Sequence, residues 1–452
     1  MSQFSRRDLL RAGLSAAAGL ATRGSMLGML GGGLASAAQA ATGDYKALVC
    51  VFLYGGNDGY NVLVPTDSAR YQTYKTTRSS LALPTSGLLQ LSNAAQGSSS
   101  LSYGVPTTMP GLQSLYSRGR LAFVANVGTL VAPTTKADFQ AKRNLPPQLF
   151  SHNDQQGCWM ATQSDAAQRT GWAGRLSELM GSVNANRELS MNVSIGSSNY
   201  WQTGPQSMPY VLGQNGVVQF KATLDGRASQ RSAVFNQMLA QAQTPTAFYT
   251  ADVTARSMSL GAEVGQALSQ VPAFSTTYPS STLSSQLQLV AKMIAARSSL
   301  SMSRQVFFVS LGGFDTHDGQ SGAQPGLLSQ VSQAMSAFDA NMEELGLGQQ
   351  VTTFTASDFG RSLTSNGDGS DHGWGNVQWV SGGAVAGGRV YGSFPNQAVG
   401  SSDDAGGGRM IPTTSVEQYG ATLLRWFGAA EDDIHTVFPN LDRFASSDLG
   451  FV

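Results

Sequence analysis

Cysteine is nearly absent: two residues in a chain of 452 exclude a disulfide-built scaffold. Cys50 and Cys158 either form one bridge in an oxidising compartment or serve as two small buried hydrophobes. Charge is also scarce. Asp, Glu, Lys and Arg make up 12% of the residues, and 28 basic side chains offset 28 acidic ones, so the electrostatic footprint of a nucleic-acid binder is missing. No apolar run reaches the roughly 20 residues that a membrane-spanning helix needs. Histidine numbers only four, yet His152, His317 and His372 each sit in a short polar motif: Ser151-His152-Asn153-Asp154-Gln155, Gly313-Phe314-Asp315-Thr316-His317 and Asp371-His372-Gly373-Trp374-Gly375. A rare residue concentrated in such motifs marks a candidate site.

What is present begins with an address. Ser5-Arg6-Arg7-Asp8-Leu9-Leu10 has the paired arginines of a twin-arginine export signal, followed by an Ala/Gly/Leu-rich stretch and the triplet Ala38-Gln39-Ala40. Residues 1–40 therefore read as a signal peptide, with Arg23 and several glycines interrupting any membrane anchor. The expectations are passage through the twin-arginine export machinery, a periplasmic or secreted location, no stable membrane anchor, and folding before export, when a metal can be loaded. Without its four arginines and one aspartate, the mature chain carries 24 basic and 27 acidic residues, which again argues against nucleic acid.

The region 41–452 is long enough for one large α/β domain with insertions or for two domains. Residues 45–54, 121–127, 305–311 and 351–356 are β-branched and aromatic runs without strict polar alternation, as in strands covered on both faces. Helical spacing of apolar residues marks 109–118, 327–345 and 415–427, and this alternation predicts a predominantly parallel sheet with helices on both faces. Residues of about 225–300, including 234–241 and 283–296, read as a helical insertion or cap. Ser/Gly/Thr clusters at 80–100, 318–325 and 396–410 read as loops.

In open α/β sheets ligands gather at the carboxyl ends of strands, and several motifs fall there. Gly55-Gly56-Asn57-Asp58-Gly59 follows the first strand; Asp58 is either a hard-oxygen metal ligand or part of an Asn-Asp-Gly turn. Asp315 and His317, two apart in extended chain, point to one side and either share one ion or form a solvent-facing polar turn. Asp358 and Arg361 follow the 351–356 strand, Arg361 offering a planar fork to an anionic substrate and Asp358 either a ligand or a helix cap. His372 is the ligand expected from its glycine-rich loop, with Asp371 holding its imidazole, and a plain surface loop is the competing reading. Ser151 and Asp154 have capping-box spacing, but a helix start also concentrates backbone donors, where Ser151 can be a nucleophile and His152 a ligand or acid/base.

Together with Thr170-Gly171-Trp172 and Ser357-Asp358-Phe359-Gly360-Arg361, these motifs resemble those of the bacterial domain-of-unknown-function family 1501, over nearly the whole mature chain. That family is grouped with the alkaline phosphatase and sulfatase superfamily, and the resemblance implies an alkaline phosphatase-like α/β fold with metal ligands at strand ends. Asp58 resembles the superfamily's first aspartate, Asp315 and His317 its Asp/His pair, Asp358 its next aspartate and His372-Gly373 its last His-Gly. Three details depart. One residue rather than three separates Asp315 from His317, Phe359 stands where the histidine of Asp-His belongs, and the nucleophile is unassigned. No Cys-x-Pro-x-Arg or Ser-x-Pro-x-Arg sequence that matures to formylglycine is present, which argues against ordinary sulfatase chemistry.

The leading expectation is an exported hydrolase of phosphate or sulfate esters, using one or two divalent ions (Zn, Mg, Mn or Ca) on an anionic small-molecule or polysaccharide ester. The alternative is a non-catalytic exported binding or assembly protein on a degenerate fold, for which Phe359 speaks. A transferase or mutase is a third reading, since metal ligands do not name the acceptor.

Overall fold

The first strand shows how the sequence builds its layers. In β1 (Lys46–Leu53) successive side chains point to opposite faces: Ala47, Val49, Val51 and Leu53 enter one apolar core, and Leu48, Cys50 and Phe52 enter another. A strand apolar on both faces must be covered twice, which is why the alternation of polarity is missing. Each large aliphatic side chain buried in this way contributes roughly 2 kcal/mol.

The computed structural model describes residues 44–91, 101–162, 170–218, 228–240 and 245–452. The expected signal peptide, residues 1–40, lies outside them. Besides β1 the strands are β2 (Val64–Pro65), β3 (Leu88–Gln90), β4 (Tyr103–Pro106), β5 (Leu121–Gly128), β6 (Asn192–Ile195), β7 (Tyr210–Leu212), β8 (Arg304–Leu311), β9 (Val351–Ser357), β10 (Arg361–Ser365), β11 (Ser370–His372), β12 (Asn376–Ser381), β13 (Arg389–Tyr391) and β14 (Thr414–Ser415). The principal sheet has nine strands among the described residues, in the order β13-β5-β12-β9-β1-β8-β6-β7, with β14 also on β5. All its pairings are parallel except those of β12, which runs against both β5 and β9. The four strands expected from sequence lie within it, and β9, β1 and β8 stand side by side at its centre.

The helices are α1 (Ser68–Arg78), α2 (Pro110–Ser117), α3 (Lys136–Gln140), α4 (His152–Ala161), α5 (Trp172–Leu179), α6 (Ala228–Ala240), α7 (Pro245–Ser269), α8 (Thr282–Ala295), α9 (Gln320–Glu344), α10 (Val416–Phe427) and α11 (Glu431–Val437). Side chains of α2, α8 and α9 fill the first core, and those of α4, α5, α10 and α11 the second. The molecule from Tyr45 on is thus an α/β unit with a mostly parallel sheet between two helical layers. Within the stretch expected as an insertion, α6 packs on α7, whereas α8 lies against β8 and α9 as part of the layer on the sheet.

Two local outcomes are instructive. Ser415 and Gln418 form a capping box at the start of α10, and Gly428 ends it in the left-handed conformation. Residues 318–325, a loop by composition, instead open α9 at Gln320. Their glycines and Pro325 are overruled by tertiary bonds: Gln320 and Gln324, one turn apart, both donate to buried Asp58.

Candidate active site

Three loops at the carboxyl ends of β1, β8 and β9 lie together because their strands are adjacent, and α4 and the β10–β11 hairpin close over them. The approach is tight. Gly55 has φ +112°, and a Cβ there would stand 2.3 Å from the Asp315 nitrogen; Gly56, at φ +78°, would meet the Phe359 ring at 2.5 Å. Only glycine lets these backbones meet.

His152 is the first residue of α4. Its Nδ1 is 2.6 Å from Asp358 Oδ2, and a buried carboxylate only accepts, so Nδ1 carries the proton and Nε2 presents a lone pair. His372 ends β11; its Nδ1 donates to the Phe150 carbonyl at 2.6 Å, which frees Nε2 likewise. His317 has Asp371 Oδ1 3.5 Å from Nδ1. All three Nε2 atoms converge on the Asp315 carboxylate, at 3.4 Å for His152, 3.1 Å for His317 and 3.3 Å for His372. The Nε2 atoms of His317 and His372 are 2.8 Å apart. Nitrogen lone pairs held so close to one another and to a carboxylate repel unless a proton or a cation lies between them.

Asp315 is set by Arg361, whose Nη1 donates to Oδ1 at 3.0 Å. Partial burial works against its ionisation, but Arg361 and the neighbouring His152 and His317 outweigh it and hold the carboxyl below its usual range. Burial, with the Arg361 charge, also holds the His372 imidazole below its ordinary value despite the Phe150 hydrogen bond. A neutral imidazole is the form that ligates metal.

These donors fit a divalent metal ion. With arms of about 2.0–2.1 Å, neighbouring ligand atoms of a tetrahedral site lie roughly 3.3 Å apart, close to the three Asp315–histidine distances. His152, Asp315 and His372 offer ligand atoms all within 4.8 Å of one another, and His317 stands in contact with the latter two. His152 Nε2, buried and without a hydrogen-bond partner, is what such a site leaves for an ion.

Other expected residues are placed differently. Asp58 is buried in an ion pair with Arg78 and accepts from Gln320 Nε2 at 2.6 Å, so its charge is already matched. Asp358 is the anchor of His152, and also accepts from Gln156 Nε2 at 2.9 Å. Arg361, expected to meet an anionic substrate, is fully buried, and its fork is spent on the Ser370 and Gly55 carbonyls and on Asp315. Asp371 does not hold His372 as expected: neighbours on β11 point oppositely, and its carboxylate faces His317 instead. Ser151 makes no capping bond. Its hydroxyl donates to Asp154 Oδ2 at 2.6 Å on the surface. Cys50 and Cys158 are both free thiols, with Cys50 in the second core.

Phe359 fills space rather than donating. Its ring packs on His152 and His372, with centroids 4.8 and 4.7 Å away. Sequence reasoning missed Arg78, Gln156, Gln320 and Arg409. The last is partly exposed, donates from Nε to the His372 carbonyl at 3.0 Å and lies over the Phe150 ring. Nothing in its Gly-rich surroundings marks it, because its place depends on a loop returning from beyond β13.

The family model described as "Protein of unknown function (DUF1501)" matches residues 45–429. No curated protein matches the chain. Solved structures similar to it include Ps i-CgsB in complex with k-i-k-neocarrahexaose, at 9% identity and TM-score 0.36, covering 86% of this chain and 74% of that one. The PsFucS1 sulfatase from Pseudoalteromonas sp. has 10% identity and TM-score 0.36, with 88% and 70% covered. The lipoteichoic acid synthase LtaP from Listeria monocytogenes has 10% identity and TM-score 0.29, with 71% and 57% covered. Likenesses this faint decide neither activity nor substrate.

Proposed function

This chain belongs to the DUF1501 family of proteins of unknown function, and from that premise we propose that it is an exported metal-dependent hydrolase of phosphate or sulfate esters. The observation that carries the reading is the convergence of three imidazoles, two with tautomers fixed through Nδ1, on one carboxylate at the strand ends. Imidazole-rich donor sets suit zinc-type transition ions better than magnesium or calcium, so zinc is the ion proposed. The order of the sequence motifs supports the ester class, and the paired arginines at residues 6–7 support export to the periplasm or beyond.

His152, His317, His372 and Asp315 would hold the ion. Bound there, it supplies Lewis acidity toward an ester oxygen and lowers the proton affinity of a hydroxyl group. The chain's own groups do the rest. Asp358 keeps the proton on His152 Nδ1, and Arg361 holds Asp315 ionised and in place. Arg409, at the rim beside His372, and the positive end of α4 offer charge to an anionic ester, which can be a small molecule or a polysaccharide. Ser151, with its hydroxyl directed to Asp154, leaves the attack to water.

Elemental analysis of the purified full chain followed by a panel of aryl phosphates and sulfates tests the proposal. Bound zinc and metal-dependent turnover, both lost in His372→Ala, are expected. Metal-free protein whose activity survives chelation would sink it. Phe359 favours one other reading, an exported scaffold with a structural ion, which predicts bound metal and no turnover of any ester.

A further inference from the structure

If the histidine cluster takes an ion, as proposed above, the remaining acidic groups at the strand ends decide how many ions the site holds. Asp58 lies buried with Oδ2 paired to Arg78, and Gln320 donates to the same oxygen while Gln324 donates to its carbonyl; Oδ1 is buried without a hydrogen-bond partner. Arg78 has no exposed surface, and its second amino group donates to the Ser362 and Leu363 carbonyls at 3.0 and 3.3 Å. A guanidinium cannot lose its proton in a protein, so Asp58 faces a permanent cation. A divalent ion bound to Asp58 would have to stand beside that charge.

Asp358 is committed at both oxygens. Both oxygens of Asp358 accept from the Gly55 nitrogen, and one also meets His152 Nδ1 and Gln156 Nε2. Phe359 brings hydrocarbon to the next position and fills the space between Gly56, His152 and His372. Among the described residues, only His152, Asp315 and His372 form a group of three potential ligands, with His317 against it.

We propose that the site takes one divalent ion, because at Asp58 the permanent cation of Arg78 already stands where a second metal would have to bind. The pair is tied to the ion site by a continuous chain of hydrogen bonds. Gln320 links Asp58 to the Ser370 hydroxyl, Arg361 donates to Ser370, and the same guanidinium holds Asp315.

Native mass spectrometry and elemental analysis of the full chain, loaded with excess zinc and freed of unbound metal by gel filtration, read the stoichiometry directly. One zinc per chain is expected in the wild type and also in the D58N/R78Q double variant, which removes both buried charges together. Two zinc ions per wild-type chain would overturn the inference while leaving the metal-hydrolase reading intact. Loss of the single ion in a double variant with an unchanged circular-dichroism spectrum would also overturn it, because Asp58 would then be a ligand. No zinc in the wild type would instead remove the metal reading itself, and the inference with it.

Discussion

The imidazoles at this site are governed by atoms that never touch an ion. Asp358 fixes the His152 tautomer, and the Phe150 carbonyl fixes that of His372. Asp358→Asn keeps the shape but allows the amide to donate, turning the ring's lone pair away from the cluster. Zinc affinity should fall roughly 10- to 100-fold, the usual effect of losing such a partner, as read by chelator competition; unchanged affinity would show that His152 is no ligand. Arg409→Met is expected to raise KM for an anionic ester while zinc content stays at the wild-type level, since Arg409 meets the site at the His372 carbonyl and the Phe150 ring rather than at a proposed ligand atom. Equal kinetics in the variant would remove Arg409 from substrate binding. The histidines and Asp315 were visible in the sequence as rare residues in polar motifs. Their partners were not, because a backbone carbonyl at position 150 and a glutamine at 156 look like any others until the chain folds.

At the scale of elements, a glycine pair and a helix carry the most informative tests. Gly55→Ala places a methyl group against the Asp315 backbone at a φ of +112°, so the β1 and β8 loops must separate. A lower melting temperature together with lost zinc is expected; an alanine variant with full zinc content would show that the close approach is dispensable. In α10, Glu417 is wholly buried, with Oε2 lacking a partner, and burial pushes its pKa from 4.5 up to about 8. The folded state then holds a proton that the unfolded chain releases near pH 4.5, so stability falls as pH rises from about 4.5 and levels off above about 8. Glu417→Gln should flatten that decline in denaturant titrations across the window, and an unaltered slope would refute the assignment. The capping box of α10 was legible because Ser415 and Gln418 act locally. The start of α9 was not: glutamines reaching Asp58 from 262 and 266 residues away outweighed a loop-like composition.

For the whole molecule, the proposed ion would draw its ligands from α4, the loop after β8 and the β10–β11 hairpin, and so would bind only the folded chain. Saturating zinc at a hundred times its dissociation constant adds about 2.7 kcal/mol to stability. Chelation should therefore lower the melting temperature by a few degrees, restored by added zinc, whereas a melting temperature indifferent to chelation would separate the cluster from any metal. By itself, the sequence determined the α/β class, the central strands and the residue types of the site, because apolar runs and Asp/His motifs reflect what each segment must bury or present. Only the tertiary structure decided how those residues are used. It gave Asp58 to Arg78 and Arg361 to Asp315, turned Asp371 toward His317 and set Phe359 against two histidines. Charge neutralisation and tautomer choice depend on neighbours brought within about 3 Å by pairing of β9, β1 and β8, and separation along the chain carries no trace of that adjacency.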